Sequence, residues 1–439
     1  MSVFRGEYSR GSVFLPFVFA LLMLFIQEGV SYYASVQTAA LLFLMGIVFY
    51  SGAVVRVTPL LLAVFGLFTA LLIVTAVLLP ETISQNSPHI AVTTIGVVGY
   101  VVLILAMVSL YHIRADRLLL FYKHASVTTI VLIVMLVVVT ELVLFPSLTR
   151  EYFILQNADL VTNYSALSGL LDDLAMRSAR GVRPDIDLFY GEQSFLSLVI
   201  FICLVSYLIS SYALEDIRQA DQKPSHGEGV QGVSVFMLVC GLGCMLYIQS
   251  FSSLFYAAIV GGFLLTNFLS HPGSMRLTPM KAVGAILFGV VIFMIVMQSY
   301  PYYLHRLETF SESLSAQQRF GVILDFLPQD FMFGLHDQDR MPSFGFHNGI
   351  IYIVMMAGLG GVSLIAYLLY RVALMARPLG LTALSVLAVL AVFSQNGAIF
   401  SPNKLVILSF LLLPLSCASQ YLPQENPGRR RRISLIEAT

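Results

Sequence analysis

Two stretches of this chain concentrate the side chains that could do chemistry. The first holds Arg177, Arg180 and Arg183, then Pro184, Asp185 and Asp187, then Gly191, Glu192, Gln193 and Ser194. Arginines at steps of three share one face if the segment is helical, and a guanidinium fork grips phosphate through two parallel N–H···O bonds. An anionic ligand would suit them. Solvated pairing with Asp172, Asp173, Asp185 and Asp187 accounts for Arg177 and Arg180 well enough without one, since exposed pairs are worth only about 0–1 kcal/mol. The second stretch holds Arg306, Arg319 and Arg340 with His305, His336 and His347. These form no linear motif, so folding must bring them together. Arg319 opens the run Arg-Phe-Gly-Val-Ile-Leu-Asp-Phe-Leu-Pro, and the stretch closes on Gly345, Phe346, His347, Asn348 and Gly349 at the start of an apolar segment. A histidine there can take or give a proton near neutrality, or simply satisfy backbone groups at a helix start.

Other chemistries lack their residues. No two of His305, His336 and His347 have the four-residue spacing of a helical zinc site, and Asp325, Asp330, Asp337 and Asp339 do not follow a calcium-loop pattern. Phosphate-cradling glycine loops and the GxSxG elbow of serine hydrolases are missing. Cys203, Cys240, Cys244 and Cys417 all fall in apolar runs, where a thiol packs as a small hydrophobe. No metal and no cofactor is expected. The balance of 24 basic against 24 acidic residues exerts no overall pull on nucleic acid.

The elements that must position these residues are membrane helices. Of 439 residues, 58% are hydrophobic and only 11% charged, where a soluble domain carries roughly 25%. Apolar runs long enough to cross a hydrocarbon core of about 30 Å recur along the chain. The reading is an all-α polytopic membrane protein, a single integral membrane domain over 1–439, with about twelve spans: 11–29, 34–54, 58–79, 90–111, 125–146, 194–213, 232–249, 251–270, 281–299, 348–370, 380–397 and 403–420. The first run has no small-residue cleavage site and is read as retained. Two long loops interrupt the pattern, 147–193 and 299–347. Loops of this length are uncommon unless functional or disordered. Apolar residues at helical spacing, such as Leu167, Leu170, Leu171 and Leu174 in the first and Phe320, Ile323, Leu324 and Phe326 in the second, predict short amphipathic helices on the membrane surface.

Charge sets the orientation. With twelve spans both termini share a side, and the basic tail over 421–439, with Arg429 to Arg432, marks that side as cytoplasmic. Sixteen of the Lys and Arg residues then lie inside and eight outside, seven of these in the two long loops. Lys404 is the single basic residue on a short outside loop, and short loops are where the positive-inside rule applies. The spans themselves are nearly free of charge, which argues against a proton- or sodium-coupled transporter.

This arrangement resembles the bacterial O-antigen polymerase and O-antigen ligase superfamily. The likeness lies in many spans, two arginine-bearing periplasmic loops, and the order Arg319, Pro328, Gly334, His347, Asn348 in the second. Arg183 followed by Phe189, Gly191, Glu192, Gln193 and Ser194 is similar to the Arg…Phe-x-Glu-Pro-Ser segment of repeat-unit polymerases, with Gln193 in place of proline. The architecture matches over most of the chain, the motifs only around the two loops.

The resemblance implies a metal-independent, inverting glycosyltransferase of the bacterial inner membrane, working on the periplasmic face. Its donor would be an undecaprenyl-pyrophosphate-linked oligosaccharide, with membrane lipid around it and a chain-length regulator and a flippase as further partners. Negative charge grows on the pyrophosphate as the glycosidic bond breaks, and fixed arginines aimed at it lower the barrier. Arg183, Arg306 and Arg319 are the expected pyrophosphate ligands, Arg319 also acting in catalysis. Glu192 or His347 would orient or deprotonate the acceptor hydroxyl. Joining of repeats into O-antigen, capsule or exopolysaccharide is the leading expectation. Ligation of a finished glycan to lipid A core, a flippase or transporter for the same lipid-linked sugar, and an envelope scaffold are the alternatives.

Overall fold

Backbone N–H and C=O groups have no water to bond in a hydrocarbon core, so apolar runs of this length satisfy themselves as helices. A computed structural model describes residues 11–24, 46, 54–78, 90–111, 115–139, 193–221, 235–247, 251–270, 332–333, 348–394 and 402–421, and these are mostly helical. In chain order the helices are α1 (Gly11–Leu24), α2 (Pro59–Leu78), α3 (Ile90–Met107), α4 (Ala115–Val139), α5 (Gln193–Asp221), α6 (Val235–Tyr247), α7 (Phe251–Ser270), α8 (Gly349–Ala376), α9 (Thr382–Ser394) and α10 (Pro402–Tyr421). Four stretches are long and apolar enough to cross a membrane: Pro59–Val77, Ala115–Met135, Phe195–Glu215 and Gly349–Leu379. Shorter apolar helices accompany them. The predicted spans 34–54 and 281–299 lie outside the described residues except for Gly46 and Val54, so the count of twelve is not reached among those described.

Several boundaries agree closely with the predicted spans, Phe251–Ser270 among them. The helix predicted over 125–146 instead begins at Ala115. Leu118, Leu119 and Tyr122 bury themselves at helical spacing there, and Asp116 in the first turn favours a helix N-terminus. The described chain is also not purely helical. Val54–Val55 (β1) pairs antiparallel with Leu110–Tyr111 (β2), in the register Val54↔Tyr111 and Val55↔Leu110. The Arg56 N–H extends the ladder to the Ser109 carbonyl at 2.8 Å. An expectation of helix alone missed this ribbon because both strands fall at the ends of apolar runs, and pairing between remote segments leaves no periodicity.

The bundle is layered around α5. Every residue from Phe195 to Ala213 is buried inside the protein, whereas little more than a quarter of the most apolar stretch of Pro59–Val77 is. Helices α4, α6, α7, α9 and α10 all pack on α5. Helix α2 turns Leu60, Leu62, Ile73, Val74 and Val77 outward, the surface a lipid-facing helix would present. Aromatic rings tie α1, α4 and α10 together: Phe19 stacks on Phe410 at 5.3 Å between centroids, and Tyr122 meets Phe410 edge-on at 5.4 Å.

The ribbon closes one end of the bundle. Arg371 of α8 donates from Nη2 to the Val108 carbonyl at 3.0 Å, while Ser416 and Gln420 of α10 donate to the Leu110 carbonyl at 2.8 and 3.3 Å. The C-terminal ends of α3, α8 and α10 are therefore gathered there. Helix α5 runs parallel to α10, since α4 packs antiparallel to both. Consequently α5, α8 and α10 all begin at the opposite end.

Candidate functional site

That opposite end is where the two reactive stretches enter the bundle in sequence. Glu192 immediately precedes Gln193, the first residue of α5, and His347 immediately precedes Asn348, which caps α8. Arg183, Glu192, Arg306, Arg319 and His347 themselves lie outside the described residues. So do the amphipathic helices expected in the loops. The described residues define the helix ends around them.

Asn348 has extended backbone (φ −129°, ψ 117°), and its side-chain oxygen accepts from the Ile350 N–H at 3.0 Å. This is an N-cap: it satisfies one of the orphan donors of the first turn. Asn348 is buried, so the cap is held within the protein rather than at a solvated edge. In the His-Asn pair, asparagine therefore has a structural task of its own, setting the point at which the chain enters α8.

Lys404 stands two residues into α10 and is only 2% exposed. Its Nζ donates to the Val392 carbonyl near the end of α9 at 3.2 Å. The last carbonyls of a helix have no partner within it, and a cation there is favoured by the helix dipole. Lys404 thus staples the start of α10 to the finish of α9. The sequence marks Lys404 as an isolated cation on a short loop but holds no sign of its burial.

The second long loop reaches the bundle through Met332 and Phe333. Helix α8 is broken at Gly358, whose φ of 48° and ψ of −127° are foreign to a helix. The first free N–H after the break, on Leu359, donates to the Met332 carbonyl at 3.1 Å. The Thr75 hydroxyl, buried near the end of α2, donates to the Phe333 carbonyl at 3.5 Å. Nine residues precede the break in α8, a rise of about 13 Å, so this part of loop two sits well below the helix start rather than above it.

Just past the break, α2 and α8 approach closely. A Cβ at Gly360 would lie 2.8 Å from the Phe68 Cα and 3.0 Å from the Leu67 carbonyl oxygen. Small residues at such crossings let helix backbones pack without a side chain between them. Sequence reasoning passed over Thr75, Gly358 and Gly360. The available signal was the glycine-rich run Met356-Ala357-Gly358-Leu359-Gly360-Gly361 inside an apolar segment, where isolated glycines weaken a helix and often mark a break or close approach.

No protein-family model, curated protein or solved structure matches this chain.

Proposed function

We propose that this chain is a polysaccharide polymerase of the bacterial inner membrane, with twelve spans, both termini cytoplasmic and a periplasmic site. It would transfer glycan from an undecaprenyl-pyrophosphate-linked donor to a lipid-linked repeat unit. The observation that carries the reading is the docking of Met332 and Phe333 on α8 and α2. These residues stand between Arg319 and His347 in the sequence, so loop two is anchored to the membrane helices in the middle of its reactive stretch. A lipid-linked substrate keeps its pyrophosphate beside the bilayer, and an anchor within the stretch ties the residues on either side of it to the membrane helices.

Two further features support it. The described cations divide between the ends, with Arg56, Arg117, Lys123, Arg371 and Arg377 toward the ribbon and Lys404 at the other, in line with a cytoplasmic ribbon end. Helices α3, α5, α8 and α10 also begin at the proposed outer end, and helix N-termini attract anions. Arg183, Arg306 and Arg319 would then neutralise the leaving pyrophosphate, with Glu192 or His347 serving the acceptor hydroxyl.

The test is reconstitution of the purified protein with lipid-linked repeats in the absence of any transmembrane gradient. Polymer should form, and Arg319→Ala and His347→Ala should each abolish it. Unchanged polysaccharide length in cells carrying either variant would remove the catalytic assignment. A second reading, movement of the same lipid-linked sugar across the membrane, is favoured by the break at Gly358, since discontinuous helices line the substrate sites of many transporters. Transport without polymer in the same vesicles would select it.

A further inference from the structure

The β1–β2 ribbon lies where membrane helices reach the headgroup level. Val57 stands just before Pro59, the first residue of a stretch long and apolar enough to cross a membrane, and Tyr111 shortly before Ala115, the first of another. The Thr58 hydroxyl accepts from the Leu61 N–H at 3.2 Å, capping α2 directly after the ribbon. Both strands are therefore tied to span ends. Yet the ribbon is uncovered: Val54 is 59% exposed, Val55 43%, Val57 60% and Tyr111 40%, with Leu60 54% exposed in the first turn of α2. Aliphatic side chains with a tyrosine suit the boundary between lipid and water, where one end of the ring is apolar and the other wet.

In the antiparallel register Val54 is opposite Tyr111, so Val54, Arg56 and Tyr111 share one face of the ribbon. There the Arg56 guanidinium lies over the Tyr111 ring, 4.5 Å from its centre. Stacking occupies one flat side of the guanidinium and leaves its rim of N–H donors unspent. Among the described residues the Arg56 side chain has no hydrogen bond and no ion pair. Arg117, in the first turn of α4, and Arg377, just past α8, are also exposed and equally without an acidic partner among them. Lys123 and Arg371 add charge deeper in, against Asp116 and Glu215 as the acidic side chains described at this end. The end is basic on balance.

A guanidinium held flat by a ring, with its edge free and aliphatic side chains beside it, matches the chemistry of a phospholipid where headgroup meets acyl chain. The fork takes phosphate oxygens bidentately, and Val54, Val57 and Leu60 supply apolar surface for the carbons below. Arg117 and Arg377, uncompensated nearby, favour a lipid of net negative charge over a zwitterionic one. We propose that the ribbon is a binding site for the phosphate of an anionic phospholipid in the cytoplasmic leaflet, gripped by Arg56 on the Tyr111 ring. Arg371, Ser416 and Gln420 bond the same ribbon, so the lipid braces the end at which α3, α8 and α10 finish. The leaflet rests on the proposed orientation; the site itself does not depend on the transfer reaction.

The chain contains no tryptophan, so Val57→Trp places a single fluorophore at the site, and Ile95→Trp, at an exposed position near the start of α3, places one away from it. Each full-length variant is reconstituted in phosphatidylcholine vesicles with increasing shares of brominated phosphatidylglycerol or, separately, brominated phosphatidylcholine, which quench by contact. Both leaflets carry the same lipid, so the result does not hinge on orientation. Val57→Trp should be half-quenched at a several-fold lower share of the anionic lipid than of the zwitterionic one, and Ile95→Trp at equal shares. Arg56→Gln added to Val57→Trp should erase the preference, and Val54→Trp should repeat the reading from the Arg56 face. Equal quenching by the two lipids at both Val54→Trp and Val57→Trp would overturn the proposal, as would the same preference at Ile95→Trp or one that survives Arg56→Gln. Loss of the preference on adding inorganic phosphate at constant ionic strength would assign the site to a soluble anion and overturn it too.

Discussion

The backbone N–H of Leu359 and the carbonyl of Met332, 3.1 Å apart, join a membrane helix to the loop that leads into it. The bond exists because Gly358 interrupts α8 and frees a donor. An unpaired donor at that depth would be costly, and loop two supplies the acceptor. The break and the docked loop segment therefore depend on each other.

Gly358→Ala should consequently destabilise the protein, since φ 48° with ψ −127° is a region that a Cβ makes costly, about 1–3 kcal/mol. Gly66→Ala, where a Cβ meets nothing within 4 Å, is the matched control and should be tolerated. Thermal unfolding of both variants in detergent measures the difference. Equal midpoints would mean that α8 is continuous in solution.

Thr75 is predicted to position loop two through its hydroxyl rather than its shape. Thr75→Val keeps the volume and loses the bond to Phe333, so under the proposed transfer reaction polysaccharide chains in cells should shorten. Thr75→Ser keeps the hydroxyl and should restore their length. If the two variants behave alike, the hydroxyl has no part in holding the loop.

At Gly360 the effect is steric. A Cβ 2.8 Å from the Phe68 Cα forces α2 and α8 apart, and overpacking of this kind costs roughly 1–3 kcal/mol. Gly360→Ala should lower the unfolding midpoint, whereas Gly262→Ala, facing open space, should not.

For Lys404, replacement by methionine removes the ammonium that bonds the Val392 carbonyl, leaving a buried acceptor short of a donor. The expected loss is about 1–3 kcal/mol, read from the same unfolding measurement. A rise in stability would instead show that burying the charge outweighs the bond it makes, as happens for some buried ions.

Much of the architecture was legible in the sequence because a bilayer imposes one rule on every span. Apolar length alone located Pro59–Leu78 and Phe251–Ser270 to within a residue or two. The charge pattern likewise isolated Lys404 and separated the basic ends from the rest. The candidate site was legible only as residue types: Arg183, Glu192, Arg306, Arg319 and His347 were chosen for what guanidinium, carboxylate and imidazole can do, not for where they meet.

The sequence by itself determined that the described parts of this chain are mostly apolar helices, since hydropathy is a local property summed along the chain. Tertiary structure decided what depends on distant segments meeting. It paired Val54–Val55 with Leu110–Tyr111, buried Lys404 against Val392, and set Met332 against the break at Gly358. None of these leaves a period or a motif, because each bond satisfies a group whose partner is fixed only when the helices pack.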